Sequence, residues 1–297
     1  MQVAITGAGG LIGRALRARL ESDDHEVIRV GRYNASSPPD VRWSIPHRQL
    51  DGRALEGLDA VVHLAGEPVA GKWSSAKMKA IRDSRVYGTR LLASTLAGLS
   101  RKPKALISAS AIGYYGDRGD EVLNESSTQG AGFLAEVCRA WEEAAQPASD
   151  AGIRVIHPRL GVVISKDGGA LKQMLPVFRL GLAGPLGRGD QWMSWVGVDD
   201  VTSSLMRMIS DPSLSGPINV VASTPVTNKR FTKVLAGVLR RPALFPLPKF
   251  IARLAVGNLA DEALYASQRV EPGVLKQSGY TFKHESLEAT LLDELRK

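Results

Sequence analysis

Gly7, Gly10 and Gly13 recur at three-residue intervals in Thr6-Gly-Ala-Gly-Gly-Leu-Ile-Gly13, directly after an apolar run and directly before a helical pattern. Glycine at such positions permits a tight turn, lets a pyrophosphate approach the backbone and lets a helix pack closely on a strand. The N–H groups of Leu11, Ile12 and Gly13, at the start of the helix, then face phosphate oxygens with the positive end of the helix dipole behind them. The chemistry this pattern predicts is dinucleotide binding. The second apolar run selects the dinucleotide. NAD is usually held by an Asp or Glu about 20 residues past the glycines, on the ribose hydroxyls. Here Val30 is followed by Gly31-Arg32 and by no acid. The planar fork of an arginine suits a 2′-phosphate, so NADP(H) is the predicted cofactor, with Gly31 and Arg32 beside that phosphate.

Such a loop needs a parallel sheet to carry it. Segments 3–6, 26–30, 60–65, 105–110 and 153–157 read as strands, and 11–21, 74–99 and 133–151 as helices. The run 60–65 is apolar without interruption, the pattern of a parallel strand buried on both faces. This β-α-β alternation predicts an α/β fold, a doubly wound parallel Rossmann sheet. A polar Ser/Pro loop is expected over 34–40. The rhythm breaks after Pro158. Segment 161–198 is rich in Gly, Pro and Trp, 199–209 reads as a helix, and a late strand near 217–222 returns to the sheet. From Thr227 onward the pattern is helical, punctuated by Pro242, Pro246, Pro248 and Pro272. The expected organisation is an NADP-binding domain over 1–160 with that late strand. A small, mainly helical substrate lobe spans 161–297, including a C-terminal helical domain from about 245.

Composition bounds the class. With 297 residues, 44% hydrophobic and 23% charged, the chain is an ordinary globular one. The single cysteine, Cys138, excludes an internal disulfide and a cysteine-cluster metal site. No basic leader precedes the first strand and no apolar run approaches the roughly 20 residues that span a bilayer. A cytoplasmic protein with no membrane span is expected. The five histidines are scattered without metal-ligand spacing, so no metal is expected. The net charge is +8, and seven Lys/Arg with no acid fall between Lys229 and Arg253. That stretch is either a solvated helix face or a contact for nucleic acid, an anionic membrane or a phosphorylated substrate. No zinc-finger, RNA-binding or helix-turn-helix signature accompanies it, which ranks nucleic acid low.

Three further segments resemble the extended short-chain dehydrogenase/reductase family. His63-Leu-Ala-Gly66 resembles that family's element beside the adenine ribose, which implicates Leu64, Ala65 and Gly66 in cofactor binding. Ser108-Ala-Ser-Ala-Ile-Gly-Tyr-Tyr-Gly116 is similar to its Ser-Ser-x-x-x-Tyr-Gly element, and Trp195-Val-Gly-Val-Asp-Asp200 to its His-Val-x-Asp element. Together with Pro158-Arg-Leu-Gly161, Gly181–Gly189 and Met193-Ser-Trp195, the resemblance narrows to an atypical subgroup, the epimerase family proteins, similar to nucleoside-diphosphate-sugar epimerases. The tail around Phe245-Pro-Leu-Pro248 resembles the subgroup's short C-terminal domain of unknown function. The resemblance covers essentially the whole chain. It also implies a small-molecule substrate and a homodimer through the helices over 74–99 and 133–151.

The chain departs from that family where proton transfer is done. Ordinary members use Tyr-x-x-x-Lys, in which the lysine lowers the tyrosine pKa and the tyrosine moves the proton. None of the thirteen lysines here has a tyrosine four residues before it. Phe133/Val137 or Leu134/Cys138 stands in the pair's place, Arg85 begins the segment that normally begins with Asn, and Gly197 replaces the late His. Of the usual four catalytic positions only Ser110 remains. Replacement groups are Tyr114 and Tyr115 after the Ser110 strand, and Glu67 after His63–Gly66, a base if burial raises its pKa. Arg85 is read as a ligand for cofactor phosphate or a substrate anion, and Ser108 as a cofactor contact. In this family the Gly/Pro-rich segment approaches the substrate cleft. Trp192 and Trp195 there can stack on a ring, or else anchor the lobe, and Arg159, Arg179 or Arg188 can bind an anionic group.

Two readings follow. The first is an NADP(H)-dependent oxidoreductase or epimerase-like enzyme acting on a small polar, nucleotide-linked or phosphorylated substrate. The second is an NADP(H)-binding sensor or partner-binding protein without chemistry, which the lost Tyr/Lys pair motivates.

Overall fold

The computed structural model describes residues 1–32 and 38–296; of the polar loop read over 34–40, residues 34–37 lie outside them. Nine strands form one sheet: β1 Gln2–Thr6, β2 Glu26–Arg32, β3 Val41–Ser44, β4 Gln49–Leu50, β5 Ala60–His63, β6 Ala105–Ser108, β7 Ser110–Ala111, β8 Arg154–Leu160 and β9 Gly216–Val220. Their spatial order is β9-β8-β6-β5-β1-β2-β3-β4, with β7 paired to β8. Within this sheet, among the described residues, only the β3–β4 pair is antiparallel. Chain order therefore reverses between β2–β1 and β1–β5, the topological switch point at which open α/β sheets bind ligands.

The helices are α1 Leu11–Ser22, α2 Ser75–Ala97, α3 Phe133–Glu143, α4 Gln146–Asp150, α5 Gly169–Arg179, α6 Val198–Ser210, α7 Asn228–Leu239, α8 Lys249–Val256, α9 Gly273–Gln277 and α10 Leu287–Arg296. Side chains of a strand alternate between faces, and both faces here are covered. Val3, Ile5, Val62 and Ile107 pack with Leu16 and Leu20 of α1 and Leu205 and Met208 of α6. Their neighbours Ala4, Val61 and Leu106 pack with Leu92 and Leu96 of α2 on the other side. The uninterrupted apolar runs are the consequence of that two-sided burial. A separate cluster of Phe178, Trp195, Phe231, Leu235 and Leu291 joins α5, α7 and α10.

Three differences from the sequence reading have local causes. The helix read over 133–151 is broken into α3 and α4, with Pro147 in the first turn of α4; proline has no N–H to give and is excluded from a helix interior. The strand read over 60–65 ends at His63: the Leu64 N–H is shared between Thr6 O and Thr6 Oγ1, and the Ala65 N–H turns onto Thr6 Oγ1, at 3.2 Å each. The strand read over 153–157 runs through Pro158 to Leu160. The Ile107↔Ile156 and Ser110↔Arg159 pairings leave Pro158 opposite Ala109, between β6 and β7, where the ladder needs no donor from it. No helix among the described residues is long and apolar enough to cross a membrane.

Trp195 is 1% exposed and its Nε1 donates to Thr224 O at 3.0 Å. Trp195→Ala is expected to cost about 3–5 kcal/mol in urea unfolding. A loss below about 1 kcal/mol would show that Trp195 does not anchor this cluster.

Candidate functional site

Register brings the chemistry together. Thr6 pairs with His63 and His63 with Ser108, so these residues stand side by side at the carboxyl ends of β1, β5 and β6. Gly7, at φ 72°, leaves β1 in the left-handed region, and a Cβ on it would lie 2.8 Å from Ala65 N. A Cβ on Gly13 would lie 2.2 Å from Gly7 O. Only glycine lets the β1 turn, the 64–65 turn and α1 approach this closely. Gly10 caps α1 with no side-chain hydrogen bond, so the first-turn N–H groups of Leu11, Ile12 and Gly13 have no intrahelical acceptor. Gly9 is open, with nothing within 4 Å of a Cβ built there. The turn and the start of α1 thus present backbone donors with no side chain over them, the kind of arrangement that suits a pyrophosphate.

Arg32 ends β2 and is exposed. The first acid after it along the chain, Asp40, is occupied: its carboxylate accepts from Arg29 N at 2.8 Å, Nε at 3.1 Å and Nη2 at 2.9 Å. Hydrogen bonds from Arg29 hold the Asp40 carboxyl below its usual range. That carboxylate is committed to β2 itself, which leaves the strand end to the Arg32 cation.

Thr6 Oγ1 accepts from two N–H groups, so its own proton goes to His63 Nδ1 at 2.6 Å. His63 then carries its proton on Nε2, which is buried with no hydrogen-bond partner among the described residues. Burial, and then the nearby Arg85 charge, push the imidazole down to about 4. Arg85 donates to Glu67 O at 2.9 Å and Ile81 O at 3.1 Å, and its guanidinium lies 3.3 Å from where a Gly66 Cβ would be. It also stacks 4.9 Å above the Trp141 ring. Arg85 is thereby part of the Gly66 turn. Ser108 Oγ is buried without a partner among the described residues.

The reaction end is a buried polar chain. Ser110 Oγ donates to Glu142 Oε1 at 2.7 Å. Arg159 meets the same carboxylate with Nε and Nη2, both at 2.9 Å, and donates from Nη1 to the Tyr115 hydroxyl at 3.0 Å. Tyr115 donates onward to Asn219 Oδ1 at 2.8 Å. Burial opposes the Arg159 charge, but the Glu142 carboxylate outweighs it and raises the Arg159 pKa. Burial likewise raises Tyr115. Tyr114 differs from its neighbour. Its ring rests 3.5 Å from Arg159 Cζ, and among the described residues its hydroxyl makes no hydrogen bond.

The structure chooses between the two registers of α3. Phe133 packs on Trp73 at 5.2 Å and clusters with Val137 and Leu259. Leu134 and Cys138 face the Ser110–Tyr115 turn: a Cβ on Gly113 would lie 3.4 Å from Leu134 Cβ and 3.7 Å from Cys138 Sγ. Burial pushes the Cys138 thiol up to about 12, so it stays protonated. Glu142 is one turn further along that face and is the residue that reaches Ser110. Sequence reading missed it, although the i, i+4, i+8 spacing from Leu134 was visible. It also missed Asn219 and Glu262. Glu262 accepts from Phe133 N at 2.9 Å and Leu134 N at 2.8 Å, capping α3 from 128 residues downstream of Leu134.

The remaining candidates have partners of their own. Glu67 is ion-paired to Lys77 at 2.6 Å and half-exposed. Trp192 donates from Nε1 to Asp120 at 2.8 Å beneath Arg269. Trp195 is buried in the lobe cluster and presents no ring face to a ligand. Arg159, 3% exposed, gives one N–H of each guanidinium nitrogen to Glu142 or Tyr115, so within this chain its anion is the Glu142 carboxylate.

Residues 3–221 match the model of the NAD dependent epimerase/dehydratase family. The chain belongs to that family. Residues 247–294 match a further domain of unknown function, DUF1731. Among its relatives, the epimerase family protein Mb2239 of Mycobacterium bovis is 41% identical over 96% of this chain and 94% of its own. A solved human epimerase family protein, SDR39U1 (isoform 2) with NADPH, is 30% identical over the full length of both chains, with TM-score 0.90. A nucleoside-diphosphate sugar epimerase from Corynebacterium glutamicum is 40% identical, with TM-score 0.82, and this chain spans 58% of it. This family member thus carries the extended short-chain dehydrogenase/reductase fold with both segments matched.

The neutral His63 makes a pH prediction. In the unfolded chain the imidazole takes a proton near 6.5, whereas in the fold it resists until about 4. The unfolded state therefore binds more protons in between, and stability that is fully present above about pH 6.5 is lost as the pH falls towards 4. The whole effect is about 3 kcal/mol. Urea unfolding at a series of pH values should show a steeper acid loss for the native chain than for His63→Gln. Equal slopes would mean that His63 titrates freely in the fold.

Proposed function

We propose that this chain is an NADP(H)-dependent oxidoreductase or epimerase-like enzyme acting on a small polar, nucleotide-linked or phosphorylated substrate. The observation that carries the reading is the glycine cradle joined to a β2 end that offers Arg32 and keeps Asp40 in an ion pair. The human relative solved with NADPH supports the same cofactor. Gly7, Gly10 and the first turn of α1 would hold the pyrophosphate, Gly31 and Arg32 the 2′-phosphate, and Leu64–Gly66 with Ser108 the adjoining sugar side. When bound, the nicotinamide supplies hydride exchange with a substrate carbon.

In this reading residues 1–160 bind the cofactor, and 161–297 enclose the substrate in the cytoplasm. Ser110 orients the reacting oxygen. Its own proton is committed to Glu142, so its lone pairs accept a hydrogen bond from a substrate hydroxyl rather than donate one. Tyr114 exchanges the proton, because its hydroxyl is uncommitted while Tyr115 is locked by Arg159 and Asn219. The rival reading, an NADP(H)-binding sensor without chemistry, draws on Leu134 and Cys138 standing where proton-transfer residues would be.

Calorimetric titration tests the cofactor. NADPH should bind at least about tenfold more tightly than NADH, and Arg32→Ala should erase that preference. Equal affinity for both in the native chain would sink the assignment. Substrate-dependent absorbance change across ketones and nucleotide sugars then separates the two readings. Turnover that falls about 10²-fold or more in Tyr114→Phe with NADPH affinity kept supports the enzyme. Tight NADPH binding with no turnover of any substrate favours the sensor.

A further inference from the structure

The cations between Lys229 and Arg253 take no part in the site above. All seven are exposed. Beside them the surface is apolar to an unusual degree: Leu180, Leu182, Leu244, Phe245, Phe250 and Leu254 are 71, 58, 76, 58, 66 and 77% exposed. Side chains more than half exposed project from a surface rather than line a cavity. Outside 177–182 and 244–254, the described residues expose only Met1, Tyr87 and Val122 among large apolar side chains. Large apolar side chains exposed in such number on neighbouring segments mark a docking face.

The backbone ties the two segments together beside Leu182, Leu244 and Phe245, and α8 follows directly. Phe245 N donates to Ala183 O at 3.1 Å, Leu247 N to Pro185 O at 2.9 Å and Gly187 N to Leu247 O at 2.9 Å. Arg241 Nε reaches Arg179 O at 3.0 Å. On α8 the outward side carries Lys249, Phe250, Arg253 and Leu254, while Ala252 is buried. A helix that turns Phe and Leu outward between cations is the reverse of a water-facing one. Acids are absent from 168–189 and from 228–260. Asp261 is shared by Lys249 at 2.7 Å and Arg253 at 2.8 Å, which leaves the face with net positive charge.

The occupant follows from that pairing of apolar and cationic groups. A two-fold contact with a second copy would set this positive face against itself. Duplex nucleic acid rewards the cations but not exposed leucines. An anionic lipid surface uses both: the apolar side chains enter the headgroup layer and the cations meet the phosphates. We propose that the face built from 177–182 and 240–254 docks reversibly on an anionic membrane. The proposal is independent of the dinucleotide chemistry.

Co-sedimentation of the full chain with phosphatidylcholine vesicles, with and without about 30 mol% phosphatidylglycerol, tests it. Binding to the anionic vesicles should exceed binding to the neutral ones by at least about tenfold. It should fall by a similar factor in Phe250→Ser/Leu254→Ser and in Arg240→Glu/Arg241→Glu, with thermal melting unchanged in both. Absence of binding to anionic vesicles overturns the proposal, as does full binding by the Phe250/Leu254 variant. So does a dimer seen by light scattering that this variant dissolves while the native chain ignores vesicles, or binding of a duplex oligonucleotide in preference to them.

Discussion

The Arg159 guanidinium is 3% exposed, and a charge so far from water has to be met by opposite charge and by acceptors for its protons. Glu142 meets it with both carboxylate oxygens, Tyr115 with its hydroxyl and Tyr114 with the face of its ring. Each of those partners is then no longer free to choose its own geometry. Glu142 fixes the direction of the Ser110 proton. Tyr115 is committed to Asn219, and Asn219 in turn donates to Glu271 O at 3.0 Å, which draws the C-terminal segment against β9. One cation on β8 thereby sets the orientation of α3, of the turn after β7 and of the 271 segment. Removing either half of such a pair leaves the other uncompensated, which is why these residues behave as a unit rather than as separable contributions.

The two ends of the site obey different physics. The cofactor end is made of backbone: glycines that remove Cβ atoms, N–H groups that no helix can use, and strand ends brought level by parallel register. The reaction end is made of side chains that neutralise one another. Backbone requirements are written locally, since a glycine is needed where the chain turns and an arginine where a strand ends. Side-chain compensation is long-range by nature.

That difference explains what the sequence made legible. The α/β alternation, the glycine loop and Arg32 were readable because strand period, glycine spacing and the absence of an acid after Val30 all lie within a few dozen residues. The break at Pro147 was readable in principle from proline's missing N–H. Glu142 and Asn219 were not, because nothing near either residue announces a partner across the sheet. Arg159 was singled out for an external anion, yet the structure supplies its anion from α3. Trp195 was open to two readings, stacking or anchoring, and burial in the α5–α7–α10 cluster settles its packing.

Glu262 caps the first turn of α3 from the far end of the chain, and the strand pair Val122–Leu123 with Arg269–Val270 crosses a still longer stretch. On a ribosome the chain emerges from its N-terminus, so the sheet and the glycine loop can form while α3 still has bare N–H groups at its start. The reaction end is completed only after residues near 262–271 have left the exit tunnel. Synthesis therefore sets an order in which a cradle for phosphate exists before the proton-handling residues are held in place, and a message cut short after the sheet would yield the first without the second.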